Sequence, residues 1–169
     1  AAKAGDVKGF QNYLDTSIPE SMKKHLIPGS AVGLIHDGKI VYLQGYGYAD
    51  LEKQIPVTEN TVFQVASISK TMTAWGIMNL VEEGKLELDE PVSSYLTRWQ
   101  IPPSEFDPDK VTIRRLLSHS SGLANVGGYA GFLPDEPVQT LEESLTSAKD
   151  ANGEGVRIIM EPGTRYKYS

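Results

Sequence analysis

The chain has 169 residues, of which 40 per cent are hydrophobic and 22 per cent are charged, as is typical of a single soluble globular domain. Its net charge of −6 argues against nucleic acid or an anionic membrane surface as the main partner. The absence of cysteine excludes disulfides, thiol catalysis and cysteine-ligated zinc, and no stretch is long and apolar enough to predict a membrane span.

The N-terminal region predicts helix. The chain starts without Met and without an apolar signal segment, which suggests a processed or engineered N-terminus. Residues from about 7 to 26 are expected to form helical pieces interrupted near Pro19, and Pro28-Gly29 should end them.

A β-hairpin is predicted next. Residues 30–35 and 39–43 are rich in residues that favour strands, and His36-Asp37-Gly38 lies between them. Because an Asp-Gly pair accepts positive φ angles, this segment favours a tight turn. The hairpin predicts the start of an antiparallel sheet.

The segment from Ser67 to Val81 is the most informative part of the sequence. Eleven residues without any charge follow Ser67-Ile68-Ser69-Lys70, and a helix that is apolar on nearly every side predicts burial. A helix beginning near Ser67 places Lys70 one turn later on the same face. Burial would favour the neutral amine, so the spacing predicts a base beside a nucleophile.

The spacing alone is weak evidence, because Ser-x-x-Lys also arises by chance. Ser21 and Lys24 show it within a polar segment, where a helix-capping serine and a solvent-facing lysine are expected. The environment separates the two cases, since Lys70 is the only charged residue between Glu59 and Glu82. A buried charge without a purpose or partner is costly.

From Leu86 onward the pattern changes to short helices and loops. Helices are predicted at residues 91–96, 112–117 and 140–149, and a proline-rich loop is predicted at 99–109.

Four separated segments of the chain stand out in order. They are Pro28-Gly-Ser-Ala-Val-Gly33 with the hairpin, Val62-Phe-Gln-Val-Ala-Ser-Ile-Ser-Lys70, Leu116-Leu-Ser-His-Ser-Ser-Gly-Leu123 and Pro162-Gly-Thr-Arg-Tyr-Lys-Tyr-Ser169. In their order and spacing they resemble the N-terminal portion of the serine β-lactamase and penicillin-binding-protein family, particularly its class C and carboxylesterase-like branch.

The resemblance implies an α+β fold, an α/β sandwich with an antiparallel sheet flanked by helices and a largely helical subdomain. Residues 1–169 would form a single incomplete domain, with the N-terminal helix and first hairpin in 1–60 and the catalytic helix and mostly helical region in 61–169. The later strands and last helix of the family fold are missing from this chain. A second polypeptide is expected to complete the domain, unless the chain is an ordered or engineered fragment.

The resemblance also implies roles for three residues. Ser67 would be the nucleophile, Lys70 its base, and Tyr168 a second candidate for proton transfer, unless this tyrosine only packs its ring and bonds its hydroxyl. The Ser67 backbone N–H would be one donor of an oxyanion hole. The Tyr-x-Asn motif of the family reaches only Tyr168-Ser169 here, and its late-strand Lys-Thr-Gly or His-x-Gly motif is absent, since His36-Asp37-Gly38 is expected to be a turn.

Other candidates have simpler explanations. His119 could be the base of a Ser-His-Asp triad, but the chain has no Gly-x-Ser-x-Gly elbow, and its segment resembles a structural turn of the family. The glycine-rich residues 127–131 either line the mouth of the site or form a surface loop. Histidines 25, 36 and 119 lack the spacing of metal ligands, so neither a metal nor another cofactor is expected.

The expected function is that of a serine hydrolase that forms an acyl-enzyme with an ester, amide or lactam. Esterase, D-Ala-D-Ala carboxypeptidase, D-aminopeptidase and β-lactamase activities stay open, with a small-molecule or peptide-like acyl substrate. The alternatives are a non-catalytic penicillin-binding-protein-like binding or assembly subunit, and a structural fragment with accidental motifs. The resemblance favours a periplasmic or extracellular location.

Overall fold

The computed structural model describes residues 5–123, 132–133, 135–147 and 155–168. The chain forms two compact units, Ala1–Val65 and Ala66–Ser169. The glycine-rich residues 127–131, the end of the predicted helix at 148–149 and Ser169 lie outside the described residues.

The first unit begins with helix α1, Val7–His25. Asp6 caps it by accepting a hydrogen bond of 2.8 Å from the backbone N–H of Gly9. The predicted interruption near Pro19 is wrong, because the helix continues through this residue. Leu14 and Met22 are buried on either side of Pro19, so packing compensates for the one backbone hydrogen bond that a proline removes. Ser21 therefore lies inside α1 and does not cap a helix.

A three-stranded antiparallel sheet follows among the described residues. Strand β1 is Gly29–His36, β2 is Lys39–Asp50 and β3 is Ile55–Pro56, and their order is β1-β2-β3. Asp37 and Gly38 have φ angles of 48° and 70°, which is the conformation of the tight two-residue hairpin turn. The predicted hairpin is confirmed, and His36-Asp37-Gly38 is its turn.

Side chains of β2 bind α1 directly. The hydroxyls of Tyr42 and Tyr46 donate hydrogen bonds of 2.5 and 2.9 Å to the same carboxylate oxygen of Asp15, and the two phenol oxygens also contact each other. The Gln11 amide donates to the carbonyl of Val41 at 2.7 Å. These contacts fix the helix against the middle of the long strand.

Helix α2, Ser69–Glu82, leads the second unit and follows a 3-10 turn at Ala66–Ile68. The prediction that this helix is buried is wrong for the part of the chain that the structure describes, where none of its residues is buried. Met72, Trp75 and Met78 share one face, and Trp75 is 64% exposed. The uncharged segment 71–81 predicts a buried helix, but none of the described residues packs over this apolar face of α2.

The remainder of the second unit consists of short elements. A 3-10 turn at Val92–Ser94 replaces the helix predicted at 91–96, whereas α3 is Ile113–Leu117 and α4 is Leu141–Thr146. Thr112 and Thr140 cap these two helices, and Thr140 forms a capping box with Glu143. No helix among the described residues has the length and apolar character needed to cross a membrane.

The core of the second unit lies around α3. Val111 is fully buried and Ile158 is 3% exposed, and they form one cluster with Val92, Ile101 and Ile113. An isolated antiparallel bridge between Leu123 and Ile158 ties the segment after α3 to the C-terminal segment. The core therefore anchors both segments that approach the candidate site.

Candidate active site

Ser67 lies in the 3-10 turn before α2, so the regular helix begins two residues later than the sequence predicts. The preceding residue, Ala66, has a φ of 43°, in the left-handed region that residues with a side chain rarely adopt. Such strain concentrates at functional sites. The turn presents Ser67 ahead of the first turn of α2.

The structure brings the three predicted catalytic side chains together. The Ser67 Oγ lies 2.7 Å from the hydroxyl oxygen of Tyr168, a full hydrogen bond. The Lys70 Nζ donates to the same Oγ at 3.5 Å, which is a long contact, and lies 5.0 Å from the centroid of the Tyr168 ring. Tyr168 is therefore the nearer partner of the Ser67 hydroxyl.

Lys70 changes the acidity of Tyr168. Hydrogen bonding from Lys70, and then from Ser67, lowers the pKa of the Tyr168 phenol below its ordinary value of 10.0. A cation beside a phenol favours the phenolate, which can accept a proton. The prediction that Lys70 itself is desolvated is wrong among the described residues, because its side chain is exposed together with α2.

The C-terminal segment that carries Tyr168 is held by the turn after α3. The backbone N–H of Gly163 donates to the carbonyl of Ser120 at 2.8 Å, and that of Lys167 donates to the carbonyl of His119 at 2.8 Å. The Lys110 Nζ and a carboxylate oxygen of Glu161 form an ion pair of 2.5 Å at the start of the segment. Tyr168 itself is 42% exposed, so its position depends on these contacts more than on burial.

Gly122 ends the same turn at a position that has no room for a side chain. Its φ is 78°, and an added Cβ would lie 2.3 Å from the carbonyl oxygen of Met160. The Gly122 carbonyl accepts a hydrogen bond of 2.9 Å from the backbone N–H of Ile159. The close approach of the two chain segments thus requires glycine.

His119 lies in this turn, as the sequence predicts, but its ring has a contact that the sequence does not predict. The imidazole and the Tyr168 ring have centroids 4.4 Å apart at an interplanar angle of 33°. Tyr166 contacts the imidazole edge-on, with centroids 5.8 Å apart. The segment from Leu116 to Leu123 resembles a structural turn, but nothing in it indicates a contact of His119 with Tyr168, which lies far away in the sequence.

The role of the Ser67 backbone N–H as an oxyanion-hole donor stays a prediction. The N-terminus of α2 immediately after Ser67 contributes a partial positive charge that would favour an anion there. Among the described residues, no group of three histidine, aspartate or glutamate side chains could hold a metal ion.

Comparison with known proteins identifies the family. The Beta-lactamase family model matches residues 14–169. Protein flp of Staphylococcus aureus (strain COL) is 29% identical over 165 residues, which cover 94% of this chain and 30% of that protein. The chain therefore spans less than a third of the length of this relative.

Solved structures agree with the family match. The octameric penicillin-binding protein homologue from Pyrococcus abyssi superposes with a TM-score of 0.68 at 35% identity, over 93% of this chain and 35% of that one. A class C beta-lactamase in complex with cefoxitin gives a TM-score of 0.67 at 31% identity, over 96% of this chain and 41% of that one. These matches confirm the predicted β-lactamase and transpeptidase-like fold, and the chain belongs to the Beta-lactamase family.

Proposed function

We propose that this chain carries the nucleophile and proton-transfer groups of a serine hydrolase that forms an acyl-enzyme with an ester, amide or lactam. The hydrogen bond of 2.7 Å between Ser67 and Tyr168, beside the amine of Lys70, is the observation that supports the proposal most. A nucleophile within hydrogen-bonding reach of a base, with a third group that tunes the base, is the general arrangement for covalent catalysis.

In the first step the Ser67 Oγ attacks the carbonyl carbon of the substrate, and its proton passes to the Tyr168 phenolate. The carbonyl electron pair becomes an oxyanion, which the Ser67 backbone N–H stabilises. When the carbonyl re-forms, the bond to the leaving group breaks, and Tyr168 returns the proton to that group. The product is an ester on Ser67. An ester or open-chain amide also releases a free alcohol or amine, whereas the amine of an opened lactam stays attached to the acyl group.

In the second step water displaces Ser67 from the acyl group. Tyr168 accepts a proton from the water as the water oxygen bonds to the acyl carbon, and it returns that proton to the Ser67 Oγ as the ester bond breaks and the carboxylic acid is released. Lys70 favours the phenolate in both steps. The Lys70 Nζ lies 3.5 Å from the Ser67 Oγ, whereas the Tyr168 hydroxyl oxygen lies 2.7 Å from it, so Tyr168 is the better placed direct proton acceptor.

The proposal includes a C-terminal segment, in the same or a second polypeptide, that completes the domain. The chain covers only 35% and 41% of the two solved structures described above. Trp75 and Met72 are 64% and 60% exposed on α2, which is a large apolar surface for a finished domain. A completing segment would cover this face and supply the second oxyanion donor, whose absence typically costs about a hundredfold or more in rate.

Intact-mass analysis of the native protein after incubation with benzylpenicillin or p-nitrophenyl butyrate tests the proposal. We expect one acyl group to bind this chain, and Ser67→Ala to abolish the adduct. Ser69→Ala is the matched control, because it removes a hydroxyl from the same helix start and should leave acylation intact. Tyr168→Phe should slow acylation about 10²- to 10⁴-fold, the usual contribution of a positioned acid-base group.

The same experiment distinguishes the alternative of a non-catalytic binding or assembly subunit. If a completed protein binds the probe reversibly but never gains its mass, or if Ser67→Ala is acylated as fast as the native protein, the acyl-enzyme mechanism is wrong. If Ser67 is acylated, the ratio of the acylation rates with the lactam and the ester indicates which of the open substrate classes the site prefers.

A further inference from the structure

We infer that His119 is a positioning residue that holds the Tyr168 phenol against the Ser67 hydroxyl by packing its imidazole against the Tyr168 ring. The inference rests on the proposed function, since it concerns the group that we propose as the base. His119 does not touch the reacting atoms in this role and differs from the histidine of a Ser-His-Asp triad. Its effect on acylation passes through Tyr168.

Contacts with neighbouring groups, and not burial, determine the orientation of the Tyr168 ring. The residue is 42% exposed, and a tyrosine side chain rotates about two torsions where no contact restricts them. A displacement of about 1 Å can cost a hundredfold in rate when a proton must pass between two oxygens. The imidazole, with its centroid 4.4 Å from the Tyr168 centroid, restricts this motion.

The backbone of His119 is itself rigidly held. Its φ of 53° lies in the left-handed region, and the turn around it is held by backbone hydrogen bonds. The His119 N–H donates to Leu116 at 3.2 Å, and the next N–H, that of Ser120, donates to Arg115 at 2.8 Å. Ser121, which follows, is 1% exposed. The turn is strained but held by backbone hydrogen bonds, so it keeps the imidazole in a fixed position.

The same turn also holds the backbone beside Tyr168. The His119 carbonyl accepts the hydrogen bond from Lys167, so a single residue fixes both the main chain before Tyr168 and the ring of Tyr168. Tyr166 contacts the imidazole from its edge, with centroids 5.8 Å apart, and limits its rotation. These contacts connect the α3 turn to the Ser67 hydroxyl through two aromatic rings.

Substitutions at His119 can separate the effect of the imidazole ring from that of the left-handed backbone conformation. His119→Asn keeps a residue that tolerates the left-handed conformation but removes the ring, and His119→Gly is a second variant with the same property. His119→Phe keeps an aromatic ring and removes the ring nitrogens. Urea unfolding of each variant checks that it is folded under the assay conditions.

The readout is the acylation rate of Ser67 by benzylpenicillin in the native protein, measured against probe concentration. We expect His119→Asn and His119→Gly to lower the maximal rate about 10- to 100-fold without changing the half-saturating concentration. His119→Phe should restore most of the rate. In a Tyr168→Phe background, His119→Asn should have little further effect, because the hydroxyl that it positions is gone.

Other results would overturn the inference. A rate in the Asn and Gly variants equal to that of the native protein, or an equal loss with and without the Tyr168 hydroxyl, means that His119 does not act through Tyr168. A Phe variant that is as stable to urea as the native protein and yet as slow as the Asn variant rejects the ring contact as the cause. If Tyr168→Phe alone has no effect, the proposed function fails instead, so the two failures are distinguishable.

Discussion

Three side chains form the candidate site, and the distances among them assign different tasks to the amine and the phenol. Ser67 is 2.7 Å from the phenol oxygen but 3.5 Å from the Lys70 amine. The sequence favours Lys70 as the first proton acceptor because it predicts burial of α2, and that burial is absent among the described residues. In the resulting proposal Lys70 tunes Tyr168, and Tyr168 moves the proton.

The pH dependence of acylation tests this division at the level of one residue. Because Lys70 lowers the pKa of Tyr168, the phenolate forms below pH 10, and the acylation rate should rise with pH through this lowered pKa. Lys70→Met removes the cation, raises the Tyr168 pKa and should move the rising limb to higher pH. Lys70→Arg keeps the charge and is the matched control.

The measurement is the initial rate of Ser67 acylation by benzylpenicillin between pH 6 and about 10.5, a range chosen to span the ordinary tyrosine pKa. A rising limb at the same pH in the native protein and the Met variant would contradict the proposed effect of Lys70 on Tyr168.

Among the elements of the first unit, α1 and β2 are joined by a polar cluster of Asp15, Tyr42 and Tyr46. Hydrogen bonds from Tyr42, and then Tyr46, lower the pKa of Asp15 below its ordinary value. Burial is the main cause that raises the pKa of both Tyr42 and Tyr46, so both phenols stay neutral donors at neutral pH. The cluster stabilises the docked helix while Asp15 is ionised.

This cluster predicts a stability difference with a defined sign. A carboxylate with a lowered folded-state pKa stabilises the fold above its unfolded pKa of about 3.9, and the contribution disappears as the pH falls through the folded value. Asp15→Asn should therefore lower the free energy of unfolding at pH 7, and the difference from the native chain should shrink below about pH 4.

Urea unfolding at pH 7 and pH 3 measures the effect, and Asp37→Asn is the matched control. Asp37 undergoes the same chemical change in the exposed hairpin turn, where its side chain is 87% exposed and asparagine also tolerates the positive φ. Equal losses of stability for the two variants, or an Asp15→Asn effect as large at pH 3 as at pH 7, would show that the charge of Asp15 does not stabilise the fold through this cluster.

At the scale of the whole molecule, the described residues expose large apolar side chains in both units. Besides the face of α2, the sheet exposes Ile35, Ile40 and Leu43, with Ile35 69% exposed. The two solved structures described above are more than twice as long as the region this chain matches. The proposed completing segment accounts for both observations.

Tryptophan fluorescence tests the proposed covering of α2. The chain has two tryptophans, so Trp99→Phe leaves Trp75 as the single reporter. We expect iodide to quench Trp75 efficiently in the chain of residues 1–169, where it is 64% exposed, and to quench it much less once a completing segment is bound. Trp75→Phe, which leaves only Trp99, controls for changes elsewhere.

Efficient quenching that is unchanged in the completed protein would mean that α2 stays exposed. In that case the apolar face of the helix would need an explanation other than domain completion.

The sequence by itself determined part of the local structure and the identity of the site residues to test. The Asp37-Gly38 turn and the Ser67-x-x-Lys70 spacing depend on neighbours along the chain. Local hydrogen bonds and backbone preferences suffice to predict such features. The family segments added the fold, because their order and spacing are more specific than any one motif.

Only the tertiary structure decided which groups meet and which are buried. Pro19 does not break α1, since packing of distant residues outweighs a local preference. The contact between His119 and Tyr168 depends on the path of the chain from the α3 turn to the C-terminal segment, and the exposure of α2 depends on layers that its own residues cannot reveal. Contacts between residues far apart in sequence, and the burial that follows from them, come from the packing of the whole chain.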